Sequence, residues 1–97
     1  MQNIIDLKDG MTVVVVEGEI VNVNPSTKVK SKKDGKELTV AHAILRDKSG
    51  EITLVLWNTQ ISQVKIGEKI RIEFGTVNSF RDNLQLSIGY GRLIKLI

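Results

Sequence analysis

Apolar and polar residues alternate one by one in several parts of the chain, which is the pattern of half-buried β-strands. Three runs show it most clearly: Ile52–Trp57, Lys69–Phe74 and Leu84–Ile88. In the first run the even-numbered positions are aliphatic and are predicted to face a core, which leaves Trp57 on the opposite face. In the second run, Ile70, Ile72 and Phe74 are predicted to point inward.

The other elements are predicted from β-branched residues, glycines and turn dipeptides. They are a long first strand Met11–Val23, a second strand Glu37–Asp47, a hairpin connection Lys48–Gly50, a short helix Asn58–Val64 capped by Asn58 or Thr59, a hairpin tip Arg81–Asn83, and a short apolar strand around Leu93–Ile97. Gly18 interrupts the first strand and is predicted to mark a bulge or a sharp bend. The polar stretch Lys28–Lys36 is predicted to be a mobile loop.

Short strands with little helix indicate a small barrel or sandwich. The order strand, long loop, strand, hairpin, strand, short helix, strand, hairpin, strand favours the five-stranded OB-fold Greek-key barrel, with its short helix between strands three and four. The chain of 97 residues is long enough for one core, so residues 1–97 are predicted to form a single domain. In this fold, strands two and three and the loops beside them form the binding groove.

Composition narrows the possible functions. The chain has no cysteine, which excludes disulfides, thiolate metal ligands and cysteine nucleophiles. It has one histidine and no carboxylates at metal-site spacing, so neither a metal nor another cofactor is predicted. There is no nucleophile elbow and no phosphate-binding glycine loop before a helix, and the chain is predicted not to be an enzyme. The N-terminus does not resemble a signal peptide and no apolar run is long enough to span a bilayer, so we expect a soluble, cytoplasmic protein with no membrane contact.

The net charge is only +3, so the distribution of charge carries more information than its total. Five lysines fall within nine residues, and among them Lys28, Lys30, Lys32 and Lys33 are candidate phosphate contacts. Phosphate binding releases counterions and would hold such a loop in place. The alternative is an ordinary solvated surface loop.

Aromatic side chains are scarce, and two of them are candidate base-stacking platforms. Trp57 is placed opposite the core face, although it could instead pack beneath the short helix or cover the open end of the barrel. Phe80 has polar neighbours, and Arg81 beside it suits a phosphate or cation–π contact. The alternative for Phe80 is a ring folded back over the barrel mouth. Arg46 and His42 share a face of the second strand, and Arg46 is a candidate phosphate contact.

Several fragments, in this order and spacing, resemble single-OB single-stranded-DNA-binding proteins of archaea and the DNA-binding domains of replication protein A. They are the lead-in Ile5–Met11, the hairpin Leu45–Ile52, the strand Leu54–Trp57, the turn Ile66–Ile70, and Phe80 with Leu84–Leu86. The resemblance implies that Trp57 and Phe80 stack on bases. The chain departs from it at Thr76 and Ser87, where such proteins often carry further aromatics, and we expect it to lack the flexible tail that such proteins commonly have. We therefore expect weaker binding than is typical, or one module of a longer protein.

The sequence thus predicts non-enzymatic, largely sequence-independent binding of single-stranded DNA in replication or repair, over roughly 4–6 nucleotides. Replication and repair proteins, or neighbouring OB domains, are the expected protein partners. One alternative is an OB protein-interaction module of a larger replication protein A-like assembly. Another is RNA or tRNA binding, because the sequence does not show whether a ribose 2′-hydroxyl is contacted.

Overall fold

A computed structural model describes residues 1–96, and its strands follow the alternation of apolar and polar residues closely. Within these residues there are seven strands and two 3-10 helices. In chain order they are η1 (Ile4–Asp6), β1 (Val14–Val23), β2 (Thr27–Lys30), β3 (Glu37–Asp47), β4 (Gly50–Trp57), η2 (Asn58–Gln63), β5 (Lys69–Phe80), β6 (Asn83–Ser87) and β7 (Arg92–Leu96). The final strand was predicted around residues 93–97, and its last residue lies outside the described residues.

Five of the strands pair in a ring, and this ring is the OB fold. β1 pairs with β3 and β5, β3 with β4, β4 with β6, and β6 with β5. Every pair is antiparallel except β4–β6, which is parallel. The all-β OB fold is thus confirmed. The described part of the chain has seven strands instead of the predicted five. β2 adds to β3 and β7 adds to β5, each beside the ring.

The core lies inside this ring and is built from the inward positions that alternation predicts. Ile52, Leu54 and Leu56 of β4 are all buried, as predicted, together with Ile70 and Ile72 of β5. Gly18 lies where β1 comes close to β3, and a Cβ atom there would be 2.7 Å from the carbonyl oxygen of Arg46. The register of β1 shifts on both sides of this glycine, once in its pairing with each neighbour.

Phe74 does not point inward, and that prediction is wrong. Val14 lies opposite Gly75 and Val16 opposite Ile72, so two residues of β5 stand against one residue of β1. This is a β-bulge, and Phe74 is part of it, with φ of +59°. Its ring is 52% exposed. Side chains alternate between the two faces of a sheet with a period of two, so one extra residue in a strand moves the next side chain to the opposite face.

Two further predictions need correction. The short helix predicted after β4 is present as a 3-10 helix, Asn58–Gln63, but neither Asn58 nor Thr59 caps it, because Trp57 is the N-cap residue. Asn58 has φ of +54°, and its Oδ1 accepts a hydrogen bond from the backbone N–H of Thr39 at 3.0 Å. The stretch Lys28–Lys36 is not wholly a loop, because its first part forms β2 and pairs with β3.

Asp47 joins the N-terminal segment to the β3–β4 hairpin. Its carboxylate accepts hydrogen bonds from the backbone N–H groups of Ile4 at 2.9 Å, Ser49 at 2.7 Å and Gly50 at 3.1 Å. Burial alone would raise the pKa of Asp47. The hydrogen bond from the Ser49 hydroxyl and those from the three N–H groups outweigh burial, and the pKa is lowered.

We expect Asp47→Ala to lower the free energy of unfolding by about 2–3 kcal/mol near neutral pH, since it removes hydrogen bonds to a charged acceptor. A carboxylate with a lowered folded-state pKa stabilises the fold above its unfolded pKa, and this contribution is lost as pH falls through the folded pKa. The difference between the variant and the native protein should therefore shrink in acid. Urea unfolding of both proteins at neutral and acidic pH measures it, and a difference that stays constant with pH would contradict this role.

Candidate nucleic-acid interface

Trp57 ends β4 on the outer surface of the barrel. It lies directly opposite Val40 of β3, and Val55 precedes it by two residues on the same face. Both valines are buried, at 7% and 5% exposure, although neither belongs to the barrel core. The indole remains 38% exposed. Its backbone is held by Gln60, whose Oε1 accepts the Trp57 N–H at 2.9 Å. A partly exposed aromatic thus lies beside an apolar floor on a rigid strand.

Phe80 ends β5, and its ring is 58% exposed at the tip of the β5–β6 hairpin. The tip is formed by Arg81 and Asp82, both in the left-handed region with φ of +52° and +65°. The Arg81 guanidinium carbon lies 5.3 Å from the centroid of the Phe80 ring, a cation–π contact. One face of the ring therefore has a cation over it, while more than half of the residue is exposed to solvent.

Strand pairing places Trp57 and Phe80 on one outward surface but at opposite ends of it. Thr53 points to the same outward face as Trp57 and lies beside Gln85 of β6. Gln85 in turn lies opposite Asn78 of β5. Phe80 is two residues beyond Asn78 and so shares that face. Trp57 is four residues beyond Thr53 along β4, and Phe80 is two residues beyond Asn78 in the opposite direction, because β5 runs antiparallel to β4. Six residues of extended chain therefore separate the levels of the two rings, roughly 20 Å at about 3.3 Å per residue. The two rings therefore act at separate positions along a strand and not on one base.

A cleft of about 430 Å³ opens at the Phe80 end of the barrel, where Glu51 and Thr53 of β4 and Leu84 of β6 meet the N-terminal segment. Its apolar lining includes Ile5, Ile44 and Leu84, and its polar lining includes Thr53 and Glu51. The smaller residues Thr76 and Ser87 lie opposite each other, and Ser87 is level with Val55, between the levels of the two rings. The resemblance implied further aromatics at these two positions. Between the two rings the surface therefore offers short polar side chains instead of a third ring.

Arg46 and His42 lie on the outward face of β3, as alternation predicted. His42 is opposite Val55, and Arg46 is opposite Glu51. The guanidinium Nη1 of Arg46 is 3.9 Å from Glu51 Oε2, and both side chains are about half exposed. Exposed pairs of this kind are weak, so Arg46 can exchange this partner for a phosphate at little cost.

The register of β2 separates the four candidate lysines into two pairs. Lys28 lies opposite Thr39, and Lys30 follows it on the same side of β2. Residues opposite each other in a ladder point to the same side. Thr39 precedes Val40, which points to the side of Trp57. Lys28 and Lys30 therefore leave the strand on the side away from Trp57.

Lys32 and Lys33 are exposed in the turn 31–36 at the end of this hairpin. The backbone N–H of residue 31 donates to the carbonyl of residue 36 at 2.8 Å, which closes the turn. Lys28 Nζ lies 3.4 Å from Glu37 Oε1, so one lysine of the first pair already has an acidic partner. The strand register does not fix the direction in which Lys32 and Lys33 point, because the pairing of β2 ends at Lys30.

Two exposed aromatics were not identified from the sequence as site residues. Phe74 lies in the β5 bulge, and Tyr90, in the connection from β6 to β7, is fully exposed. Gly75 was the available signal, because a glycine within a strand often marks a bulge. Among residues 1–96 there is no group of three or more side chains suited to hold a metal ion. In the same range no helix has the length and apolar character to cross a bilayer.

Comparison with known proteins gives one family and one clear relative. A family model described as single-stranded DNA binding protein Ssb-like, OB fold, matches residues 7–95. The single-stranded DNA binding protein Ssb of Saccharolobus solfataricus is 26% identical over 84 residues, which is 87% of this chain and 55% of that protein. The chain therefore spans about half the length of this relative.

Solved structures show the same fold. An OB domain from Thermoplasma acidophilum has a TM-score of 0.84 at 22% identity, covering 98% of this chain and 85% of that one. The second OB-fold domain of replication protein A from Methanococcus maripaludis has a TM-score of 0.79 at 23% identity, covering 98% and 93%. A replication factor A related protein from Methanobacterium thermoautotrophicum has a TM-score of 0.80 at 23% identity, covering 99% and 90%.

Proposed function

This chain belongs to the Ssb-like OB-fold family of single-stranded DNA binding proteins, and from this premise we propose that it binds single-stranded DNA largely regardless of sequence, without catalysis. The observation that carries the proposal is the exposed indole of Trp57 on the outer face of β4. A flat aromatic held on a rigid strand stacks on any base, because every base has a π-face. Such stacking gives affinity with little sequence preference.

Trp57 stacks on one base and Phe80 on another further along the strand. The separation of roughly 20 Å between their levels fits an extended single strand of about four nucleotides, within the site sizes known for OB folds. The outer surface between the rings receives the bases that neither ring contacts. Duplex DNA is excluded from this mode, because its bases are already stacked and paired.

Cationic side chains near the two rings neutralise the phosphates. Arg81 and Arg46 serve the end near Phe80, while Lys32 and Lys33 serve the hairpin near Trp57. Lys28 and Lys30 raise the local positive potential without contacting the strand, because they leave β2 on its other side. Each phosphate contact releases counterions and so adds to the salt dependence of binding.

We assign the chain to DNA replication or repair, in the cytoplasm on exposed single strands of the nucleoid. The solved second OB-fold domain of replication protein A covers a similar length, which supports a role as one module among several. Linked modules would compensate for few stacking residues by avidity. Neighbouring OB domains and replication or repair proteins are its proposed partners.

One observation favours a second candidate function. Thr76 and Ser87 present short side chains on the outer surface where a third and fourth ring would strengthen DNA binding. An OB module that docks a peptide in this groove, in place of nucleic acid, has no need of those rings. Absence of oligothymidine binding in an anisotropy titration would favour this candidate.

The test is fluorescence anisotropy of a labelled oligothymidine at several salt concentrations, with duplex DNA and oligouridine as competitors. We expect binding that weakens as salt rises and is not displaced by duplex. Replacing Lys32 and Lys33 together by alanine should lower the salt slope by about 1–2, since each lost phosphate contact removes close to 0.7–0.9. The matched pair Lys28→Ala with Lys30→Ala should change the slope less. Equal slopes for the two double variants would contradict the assignment of the lysines, and displacement by oligouridine at equal concentration would show that ribose is accepted.

A further inference from the structure

Phe74 is an apolar ring that the fold holds in water at a conformational cost. Its φ of +59° lies in the left-handed region, where residues other than glycine and asparagine are strained. The ring is 52% exposed and so gains little from burial. Strain without compensating burial is typical of functional positions. Phe74 therefore calls for an explanation other than stability.

Strand pairing places Phe74 level with Trp57. Val55 of β4 lies beside Ser87 of β6, and Ser87 lies opposite Thr76 of β5. Continuing two residues along each strand leads from Val55 to Trp57 and from Thr76 back to Phe74. β6 ends at Ser87, and at that level the backbones of Val55 and Thr76 are separated by roughly 10 Å, at about 4.8 Å per strand. Trp57 and Phe74 thus lie on the outer surface two residues past the end of β6, one on each side of it.

Tyr90 is held beside this position by a close contact between backbones. A Cβ atom on Gly91 would overlap the carbonyl oxygen of Glu73 and lie 2.7 Å from that of Phe74, so the connection from β6 to β7 passes directly over the bulge. The backbone N–H of Gly91 donates to the carbonyl of Ile88 at 2.8 Å and fixes the turn. Tyr90 is fully exposed at its tip. Two exposed aromatics therefore project from adjoining segments.

The charges around the bulge are balanced and do not repel a phosphate backbone. Glu73 accepts hydrogen bonds from Arg92 at 2.7 Å and from Arg71 at 3.4 Å. The hydrogen bond from Arg92 is the main cause that lowers the pKa of Glu73, and Arg71 adds to it. Arg71 also pairs with Glu17. The one acid next to Phe74 is thus neutralised by two guanidinium groups.

We propose that Phe74, with Tyr90 beside it, is a third base-stacking platform that extends the single-stranded DNA path from Trp57 past the end of β6 to β5. The proposal rests on the proposed function of the Trp57–Phe80 surface. It places the missing third ring on β5 two residues before Thr76, brought to the outer surface by the bulge. A strand long enough to pass beyond Trp57 stacks an additional base there.

The test compares oligothymidines of roughly 4 and 12 nucleotides, the lower end and the middle of the OB range, by anisotropy. Phe74→Asn keeps a residue that tolerates left-handed φ and removes the ring. We expect it to weaken binding of the longer oligonucleotide about fivefold or more, the lower limit for losing one stacked base, and to leave the shorter one unchanged. Phe74→Trp should restore the affinity. Ile66→Asn, which removes a 63% exposed apolar side chain elsewhere, is the matched control and should change neither affinity.

Thermal melting of each variant checks folding, and Phe74→Asn should melt no lower than the native protein because it relieves strain. Unchanged affinity of Phe74→Asn for the longer oligonucleotide, or an equal loss for both lengths, overturns the third platform while leaving the proposed function intact. If the native protein binds neither oligonucleotide, the proposed function itself fails. These two failures are therefore distinguishable.

Discussion

Trp57→Ala is expected to weaken binding of oligothymidine by about tenfold or more while the domain stays folded. Stacking of one base on an aromatic ring contributes roughly 1–3 kcal/mol by alanine substitution, and every 1.4 kcal/mol is a factor of ten in affinity. Trp57 occupies the outer face of β4, where its loss removes no atom from the barrel core. Trp57→Phe should keep much of the affinity, because it keeps a π-face.

The matched control for this prediction is Val29→Ala. Val29 is also 38% exposed, and strand pairing places it on the same side of the sheet as Trp57, on β2. It removes apolar surface near the groove but no ring, and it should change affinity little. Affinity and thermal melting are measured for both variants and for Phe80→Ala, which should behave like Trp57→Ala. Unfolding of Trp57→Ala, or equal losses for it and the Val29 variant, would show that the indole supports structure instead of stacking on bases.

Gly91→Ala is expected to lower the free energy of unfolding by about 3 kcal/mol or more, the upper range for forcing extra atoms into a packed site. The added methyl group would overlap the carbonyl oxygen of Glu73 and approach that of Phe74 to 2.7 Å. Both obstacles are backbone atoms of β5, so no side chain can rotate away. The strand that follows, β7, would have to separate from β5 to make room.

Gly50→Ala provides the comparison for Gly91→Ala. Its φ lies outside the left-handed region, and the nearest atom to an added methyl group would be Ile5 Cβ, at an ordinary 3.9 Å. Urea unfolding of both variants measures the difference between them. Similar, small changes in both would mean that β7 and the Tyr90 turn do not pack on β5 as closely as described.

Much of the fold could be predicted from sequence because its strands bury one face. Alternation correctly placed Leu54 and Leu56 in the core and left Trp57 outside, and the polar turn segments Lys48–Gly50 and Arg81–Asn83 located two hairpins. The resemblance to archaeal single-stranded-DNA-binding proteins and replication protein A domains was confirmed by the family match over residues 7–95. These features depend on short-range pattern, which a single sequence contains.

The errors arose where pairing between distant segments decides the outcome. Phe74 followed Ile70 and Ile72 in perfect alternation, and only the extra residue opposite Val15 reverses its direction. The lysine-rich stretch has the composition of a loop, yet its pairing with β3 makes part of it a strand and turns Lys28 away from Trp57. Gly75 marks a possible bulge in β5 but does not show which neighbouring side chain is reversed, and the local sequence does not show the pairing of the lysine-rich stretch.

The central claim is that unpaired bases stack on the indole of Trp57, and the fluorescence of this single tryptophan tests it most directly. We predict that oligothymidine quenches its emission to saturation, and that the midpoint moves to higher DNA concentration as salt is raised. Emission that stays constant while anisotropy reports DNA binding would place the DNA away from Trp57 and contradict the account.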